Sequence, residues 1–444
     1  MKIIEYTLGL PPYRRGGLTQ YSLDCASELA KEDQVFLLYP GQINPLSRKK
    51  LHICKVTTPY RFQTYELRNP LPVALGLGIS DPARYYERRE ITAFKNFINK
   101  VQPDVVHLHT LMGLPLAILR FLHAQGIRIV YTTHDYYGLC PKMLTADPVE
   151  QLKNSVCTDD CMLCSPGPSY SKVLVMQSHL YQRMKETTMV KGLRRQGKQA
   201  VRQSKDNGQV FSTEVANQHL QLRQYYAEMF KLVDCFHFNS SVARDYYQQF
   251  FPEIQGKVIP ITHAGLVDHR KERAPHPTAP LKIGYVGPYD QKKGFTLLKE
   301  ALLGMDNHQG WQAEFFGDIL DDDLFSQPNV TNHGIIPAAK MPEALAKLDL
   351  LVMPSRWHET FGLVGLEALL VGTPCLMSER VGAKDLIPEE WVFTSQAELE
   401  AKLNNLINTP TEVTKMMEFV KQINLTYSLS SHIEKLRQAV LLEN

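Results

Sequence analysis

Pro354-Ser355-Arg356-Trp357-His358-Glu359-Thr360-Phe361-Gly362-Leu363-Val364-Gly365-Leu366-Glu367-Ala368 follows the unbroken apolar run Leu350 to Met353. The run reads as a buried parallel strand, and the pattern from Gly362 onward reads as a helix. The first N–H groups of a helix have no partners within it and carry partial positive charge, so this end of the loop attracts anions. Two glutamates flank it. Were both on one helix, eight residues at roughly 100° each would leave them about 80° apart in azimuth, a poor shared site. Glu359 is therefore expected in the loop and Glu367 in the second helical turn, with the amides of Phe361, Gly362 and Leu363 between them. Carboxylates are strong hydrogen-bond acceptors, so this layout suits an anion with hydroxyl groups on either side, such as a sugar nucleotide. A bare Glu-x7-Glu would equally describe a capped helix with two solvated acids.

The flanks separate these readings. The pattern Pro-Ser-x-x-x-Glu-x-Phe-Gly-x-x-x-x-Glu-Ala, followed by Gly-x-Pro at Gly372-Thr373-Pro374, closely resembles that of the retaining glycosyltransferases of family four. The resemblance implies an α/β chain of the GT-B fold, two facing Rossmann-like doubly wound parallel-sheet domains with a cleft between them. It also implies that Glu359 holds donor-sugar hydroxyls and Glu367 the ribose hydroxyls.

Composition agrees. A chain of 444 residues, 44% hydrophobic and 21% charged, is long enough for two or three compact domains and is neither disordered nor fibrous in character. With 49 basic and 46 acidic residues the formal charge is +3, so no global field argues for nucleic acid. No apolar stretch approaches the roughly 20 residues that span a bilayer. The opening Met1-Lys2-Ile3-Ile4-Glu5-Tyr6 reads as a strand broken by charge rather than a signal sequence. The eight cysteines lack the even spread of a secreted disulfide framework, and a reducing, cytoplasmic setting is expected.

Short apolar runs alternate with helical patterns, the signature of parallel α/β sheets. Strands are expected at Lys2 to Thr7, Gln34 to Tyr39, Val105 to His109, Ile127 to Thr132 and Cys235 to Asn239. A second series runs at Lys282 to Val286, Gln312 to Phe316, Leu350 to Met353 and Pro374 to Met377. The proline-bearing stretch 263–280 reads as a linker between a first domain, 1–262, and a second, 281–425. An insertion occupies about 140–230. Ile433, Leu436, Val440 and Leu441 recur at helical spacing in the tail 426–444, which either returns to the first domain or stays with the second.

The first strand is followed by Pro11-Pro12-Tyr13-Arg14-Arg15-Gly16-Gly17-Leu18-Thr19. Gly16 and Gly17 allow close backbone approach, and alone they describe a turn. By the resemblance they form the loop over the donor phosphates. The spacing is not G-x-G-x-x-G, which argues against a dinucleotide dehydrogenase. His107 and His109 alternate onto one side of a strand end, and His134-Asp135 close the next strand. The resemblance places His109 by the reacting sugar carbon; His134 and Asp135 are acceptor-side candidates. In Gly284-Tyr285-Val286-Gly287-Pro288-Tyr289-Asp290-Gln291-Lys292-Lys293-Gly294, relatives carry an arginine at the position of Pro288. The expected diphosphate cation is Lys293, with Lys292 or Arg356 as substitutes for the missing arginine.

Cys140, Cys157, Cys161 and Cys164 form C-x16-C-x3-C-x2-C within 25 residues. Three readings stand: a structural zinc site, unligated or disulfide-forming thiols, and an iron–sulfur site. Between Lys172 and Lys205 lie nine basic residues and one acid, Glu186, mixed with apolar residues. That stretch suits an anionic membrane face, or it is a solvated helical insertion.

The resulting expectation is a retaining hexosyltransferase acting on a nucleotide-diphosphate sugar, with UDP or GDP as the nucleotide, and a hydroxyl acceptor such as a lipid-linked or surface-polysaccharide precursor. Catalysis falls to His109, Glu359 and Lys293, without a metal cofactor, at the inner membrane face. Two other classes share the fold: a nucleotide-sugar epimerase and a non-catalytic glycan- or protein-binding subunit. Loss of the carboxylate pair would mark the latter.

Overall fold

The structure is a computed structural model and describes residues 1–73, 79–139, 168–185, 187, 190, 213–272, 280–305 and 309–442. Cys140, Cys157, Cys161 and Cys164, most of the basic stretch after Lys185, and the linker residues 273–279 lie outside the described residues.

The chain divides into two compact units. The first holds an eight-stranded sheet in the order β3-β4-β2-β1-β5-β6-β7-β8. Its strands are β1 (Lys2–Tyr6), β2 (Gln34–Pro40), β3 (His52–Val56), β4 (Gln63–Arg68), β5 (Val105–Leu108), β6 (Arg128–Thr132), β7 (Cys235–Phe238) and β8 (Gly256–Val258). The pairs from β4 through β2, β1, β5 and β6 to β7 are parallel, and the edge strand β3 runs antiparallel to β4. Parallel strands covered on both faces must be apolar throughout, and Ile3, Ile4, Leu37, Ile129 and Val130 are accordingly sealed from solvent.

The second unit holds a parallel sheet in the order β11-β10-β9-β12-β13-β14. Its strands are β9 (Leu281–Val286), β10 (Trp311–Phe316), β11 (Val330–Asn332), β12 (Leu350–Met353), β13 (Cys375–Ser378) and β14 (Val392–Phe393). Counted within the unit this is 3-2-1-4-5-6, the doubly wound order that reverses direction between its first and fourth strands. The reversal lies between β9 and β12, and in the first unit between β1 and β5. Loops at the carboxyl ends of these strands form the crevice in which such sheets bind ligands.

The division differs from the expected boundary at 262/263. Val258–His432 group with the second unit, and so do nine earlier residues, Phe238–Tyr246. Hydrogen bonds explain the early segment: Ser240 Oγ donates to Thr360 O at 2.7 Å, and Ser241 N donates to Asp385 Oδ2 at 2.6 Å. The tail Ile433–Asn444 groups with the first unit. There Leu436 and Val440 are fully buried, Arg437 pairs with Asp33 at 2.8 Å, and Arg128 Nε donates to Val440 O at 3.0 Å.

Candidate functional site

In the second unit the loops after β9 and β12 are bound into one body. The carbonyl of Lys292 accepts from the amides of Arg356 (2.8 Å) and Trp357 (3.0 Å) and from Ser355 Oγ (3.2 Å). Gly294 makes this contact possible. It has φ +75, and a Cβ there would fall 1.7 Å from Pro354 O. The ammonium of Lys292 lies 6.0 Å from the centre of the Trp357 ring. Glu359 forms a bridge with Val381, its N–H donating to Arg380 O at 2.8 Å and its carbonyl accepting from Gly382 N at 3.1 Å. This fixes the backbone from which its carboxylate meets Lys293 Nζ at 3.1 Å. Gly362, left-handed at φ +95, turns the chain into the helix Leu363–Leu370, and a Cβ there would lie 3.4 Å from Glu359 Oε2.

Cation, carboxylate and helix start therefore meet at the strand reversal. Lys293 and Glu359 retain 37% and 14% exposure, so water screens the pair and its worth to folding is small. Its value lies in placing opposite charges side by side, facing a helix start, before any ligand arrives. Glu367 stands in the second helical turn, as expected, with its carboxylate 3.6 Å from His263 Nε2. Phe361 is buried and anchors the loop. At Pro288 the tie is different from an arginine contact: Tyr285 donates its hydroxyl to Pro288 O at 2.7 Å, and Lys293 N–H donates to Asp290 Oδ1 at 2.8 Å. Arg356 enters this network through its backbone, its carbonyl accepting from Arg380 Nη1 at 2.8 Å.

One Asp-x-Asp spacing does occur, at Asp321 to Asp323, just beyond β10. The middle residue, Asp322, is tied into the fold, its Oδ1 accepting from Lys299 Nζ (2.8 Å) and from Leu324 N–H (3.0 Å), and Lys299 also meets the outer acid Asp323.

In the first unit Gly16 (φ +126) precedes the helix Gly17–Leu29, and a Cβ at either glycine would meet nothing within 4 Å. A histidine cluster occupies the strand reversal. Glu5 Oε2 contacts His109 Nε2 at 2.6 Å and His107 Nδ1 at 3.1 Å, and all three residues are buried. His109 Nδ1 lies 3.1 Å from Nε2 of the half-buried His134. With 1% exposure and both ring nitrogens engaged, His109 itself is enclosed, which differs from the expected place against a ligand. Asp135 accepts from Tyr137 N–H at 2.9 Å through Oδ1. The donor atoms of Glu5, Cys25, His107 and His109 all lie within 4.8 Å of one another, a set that suits zinc by chemistry. Yet the 2.6 Å Glu5–His109 contact is a hydrogen bond, whereas two ligands on a tetrahedral zinc stand about 3.3 Å apart.

Burial alone would raise the Glu5 carboxyl, but His107 and His109 hold it down to about 2 from its ordinary 4.5. Burial and neighbouring His107 push His109 down to about 4 from 6.5, against the pull of Glu5. Burial pushes Asp135 up to about 6 from 3.8. A depressed histidine takes up its proton only on unfolding between pH 6.5 and 4, so acidification there favours the unfolded chain. Asp135 acts in the opposite sense between 6 and 3.8, nearly cancelling it. The depressed Glu5 carboxyl contributes stability above pH 4.5 that is lost as pH falls towards 2. The urea midpoint is therefore expected to be nearly flat from pH 6.5 to 4.5 and to drop steeply below; an even slope across the whole range would contradict these assignments.

Two families match the chain: residues 280–409 match Glycosyl transferases group 1, and residues 15–153 match Glycosyltransferase Family 4. The solved structure of Anabaena Alr3699/HepE in complex with UDP is similar with a TM-score of 0.55 and 14% identity, covering 99% of both chains. WaaG, a glycosyltransferase involved in lipopolysaccharide biosynthesis, is similar with a TM-score of 0.51 and 16% identity, again over 99% of both. The chain has the GT-B fold, and its two matched segments are similar to glycosyltransferase domains. An uncharacterised 41.2 kDa protein in the cps region of Klebsiella pneumoniae is 30% identical over 111 residues, covering 24% of this chain and 30% of that protein. The chain spans 22% to 66% of the length of the curated relatives it matches.

Within this GT-B frame, sequence reasoning missed Glu5 and His263. Glu5 had a usable signal, an acid within an otherwise apolar strand. His263 had none, since it meets Glu367 across 104 positions of chain.

Proposed function

We propose that this GT-B protein transfers a sugar from a nucleotide-diphosphate sugar to a hydroxyl acceptor with retained anomeric configuration. The observation that carries this reading is the 3.1 Å Lys293–Glu359 pair at the strand reversal, against the start of the helix that bears Glu367. Sugar transfer leaves negative charge on the departing diphosphate. Lys293 and the amides of Phe361, Gly362 and Leu363 neutralise it, while Glu359 accepts from sugar hydroxyls and Glu367 from the ribose. UDP or GDP serves as the nucleotide; the UDP complex of HepE supports the former. His134 and Asp135 of the first unit stand on the acceptor side.

A lipid-linked or surface-polysaccharide precursor is the proposed acceptor, a reading supported by the described role of WaaG. Val175 and Leu180, 60% and 69% exposed, accompany Lys172 and Arg183 on neighbouring short helices, which favours work at an anionic membrane surface. No described helix is long and apolar enough to cross a membrane.

Thermal shift with UDP-, GDP-, ADP- and dTDP-sugars tests the reading, because a ligand that binds only the folded chain raises its melting temperature. One class is expected to stabilise the protein. Glu367→Ala should weaken that ligand at least about tenfold, the cost of one charged hydrogen bond, and abolish turnover. Unchanged turnover in this variant would show that the ribose contact is wrongly placed.

A further inference from the structure

In the second unit the chain from Thr262 to Arg270 is tied down along its length. Thr262 Oγ1 donates to Tyr427 O, His269 N–H donates to Leu370 O at 2.8 Å, and Arg270 Nη1 donates to Ile423 O at 2.7 Å. Arg270 also grips Asp268, with Nε on Oδ1 at 2.9 Å and Nη2 on Oδ2 at 2.6 Å. Leu370 ends the helix Leu363–Leu370 that carries Glu367, so the segment is keyed to that helix. Inside it a short turn wraps His263. Leu266 N–H donates to His263 O at 3.3 Å, and Gly265 N–H donates to His263 Nδ1 at 3.1 Å. A Cβ at Gly265 would come to 3.3 Å from Nδ1 and Cε1, tighter than ordinary contact, so glycine suits the turn that holds the ring.

This turn decides which ring nitrogen donates. An amide N–H can only donate, so Nδ1 holds a lone pair and the ring hydrogen sits on Nε2. A second proton would break the Gly265 contact and leave Nε2–H in place, so a donor faces Glu367 in either charge state of the ring. Nε2 lies 3.6 Å from Glu367 Oε1, with the two side chains 23% and 26% exposed. That separation is longer than a hydrogen bond. Two hydrogen bonds of about 2.8 Å can nevertheless bridge any gap below about 5.6 Å, so one hydroxyl can accept from Nε2–H and donate to the carboxylate. A lone carboxylate takes any donor and a lone N–H any acceptor; a hydroxyl satisfies both at once. We infer that His263 sets the sugar selectivity of the nucleotide site: held by the Gly265 amide with Nε2–H outward, it steers Glu367 and forms with it a donor–acceptor pair that selects ribose over deoxyribose. The inference rests on the nucleotide-sugar reading of this site. A site built around a hydroxyl rejects the analogue lacking it, because its polar groups are then left unpaired.

Calorimetric titration of the full chain with UDP, 2′-deoxy-UDP and 3′-deoxy-UDP, and with the matching GDP series, tests this. The parent is expected to bind one ribonucleotide about tenfold or more tighter than at least one of its deoxy forms. His263→Asn sets an oxygen near the place of Nδ1, for the Gly265 amide, and deletes the donor at Nε2. Its preference for ribose should fall to about threefold or less, with the melting temperature close to the parent's. His263→Gln sets an amide N–H near the place of Nε2 and should recover most of the preference. A histidine that served the turn alone would lower the melting temperature and weaken ribo- and deoxyribonucleotides alike, leaving their ratio unmoved. An unmoved ratio in His263→Asn, equal loss in both variants, or a parent indifferent to the sugar overturns the inference and leaves nucleotide binding intact. A parent that binds no nucleotide of either series overturns the nucleotide-sugar reading itself, and the selectivity falls with it.

Discussion

Lys293→Met is expected to lower turnover by about 10²- to 10³-fold, the usual effect of removing one preorganised group that meets charge developing in a transition state. Methionine keeps much of the length and the apolar stem while deleting the ammonium. Because the ion pair with Glu359 is partly solvated, the folded state should barely register the change, by under about 1 kcal/mol. Comparison of kcat with the melting temperature separates the two effects. Lys293→Arg restores charge in a different shape and should recover part of the loss. If the methionine variant turned over within a few-fold of the parent, the charge that answers the diphosphate would have to come from Lys292 or Arg356, the alternatives raised by Pro288.

The second large effect is expected at Gly294. Alanine there must adopt a left-handed backbone, at about 1–2 kcal/mol, and its Cβ would fall 1.7 Å from Pro354 O, where no side chain can yield because the obstacle is backbone. The loop after β12 would have to lift from the carbonyl of Lys292, breaking the bonds to Arg356 and Trp357 and parting Lys293 from Glu359. A loss of about 3 kcal/mol or more in urea unfolding is expected, together with loss of nucleotide-sugar binding. Stability unchanged within about 0.5 kcal/mol would show that the two loops are not joined as described.

Much of the second unit was legible because its signals are local. Leu350 to Met353 is a strand by composition, the helical pattern begins at Gly362, and the spacing of Glu359 and Glu367 places one in a loop and the other on a helix. The strands passed over were of two kinds. β3 and β4 carry Lys55, Glu66 and Arg68, whose charges are tolerated near a sheet edge but hide an alternating pattern. β8, β11 and β14 have only two or three residues, too few for any period to show. In the first unit the glycine pair and His134 were visible, while Glu5 read as an interruption of its strand. Its meaning depends on partners more than 100 positions away, and the enclosure of His109 likewise depends on Tyr21 and His134 packing over it. The grouping of Phe238–Tyr246 with the second unit follows from distant hydrogen bonds that no spacing in the chain could reveal.

The seam between the loops after β9 and β12 has a practical side. Of the three tryptophans, Trp311 and Trp391 are buried in the fold, and Trp357 alone lies half-exposed in that seam, its amide on the Lys292 carbonyl and its ring near the Lys292 ammonium. Indole emission responds to polarity and to nearby charge. The protein thus carries a built-in optical sensor in the loops proposed to hold the donor, and quenching or colour shift of its native fluorescence on adding nucleotide sugars would follow occupancy without dye, label or knowledge of the second substrate.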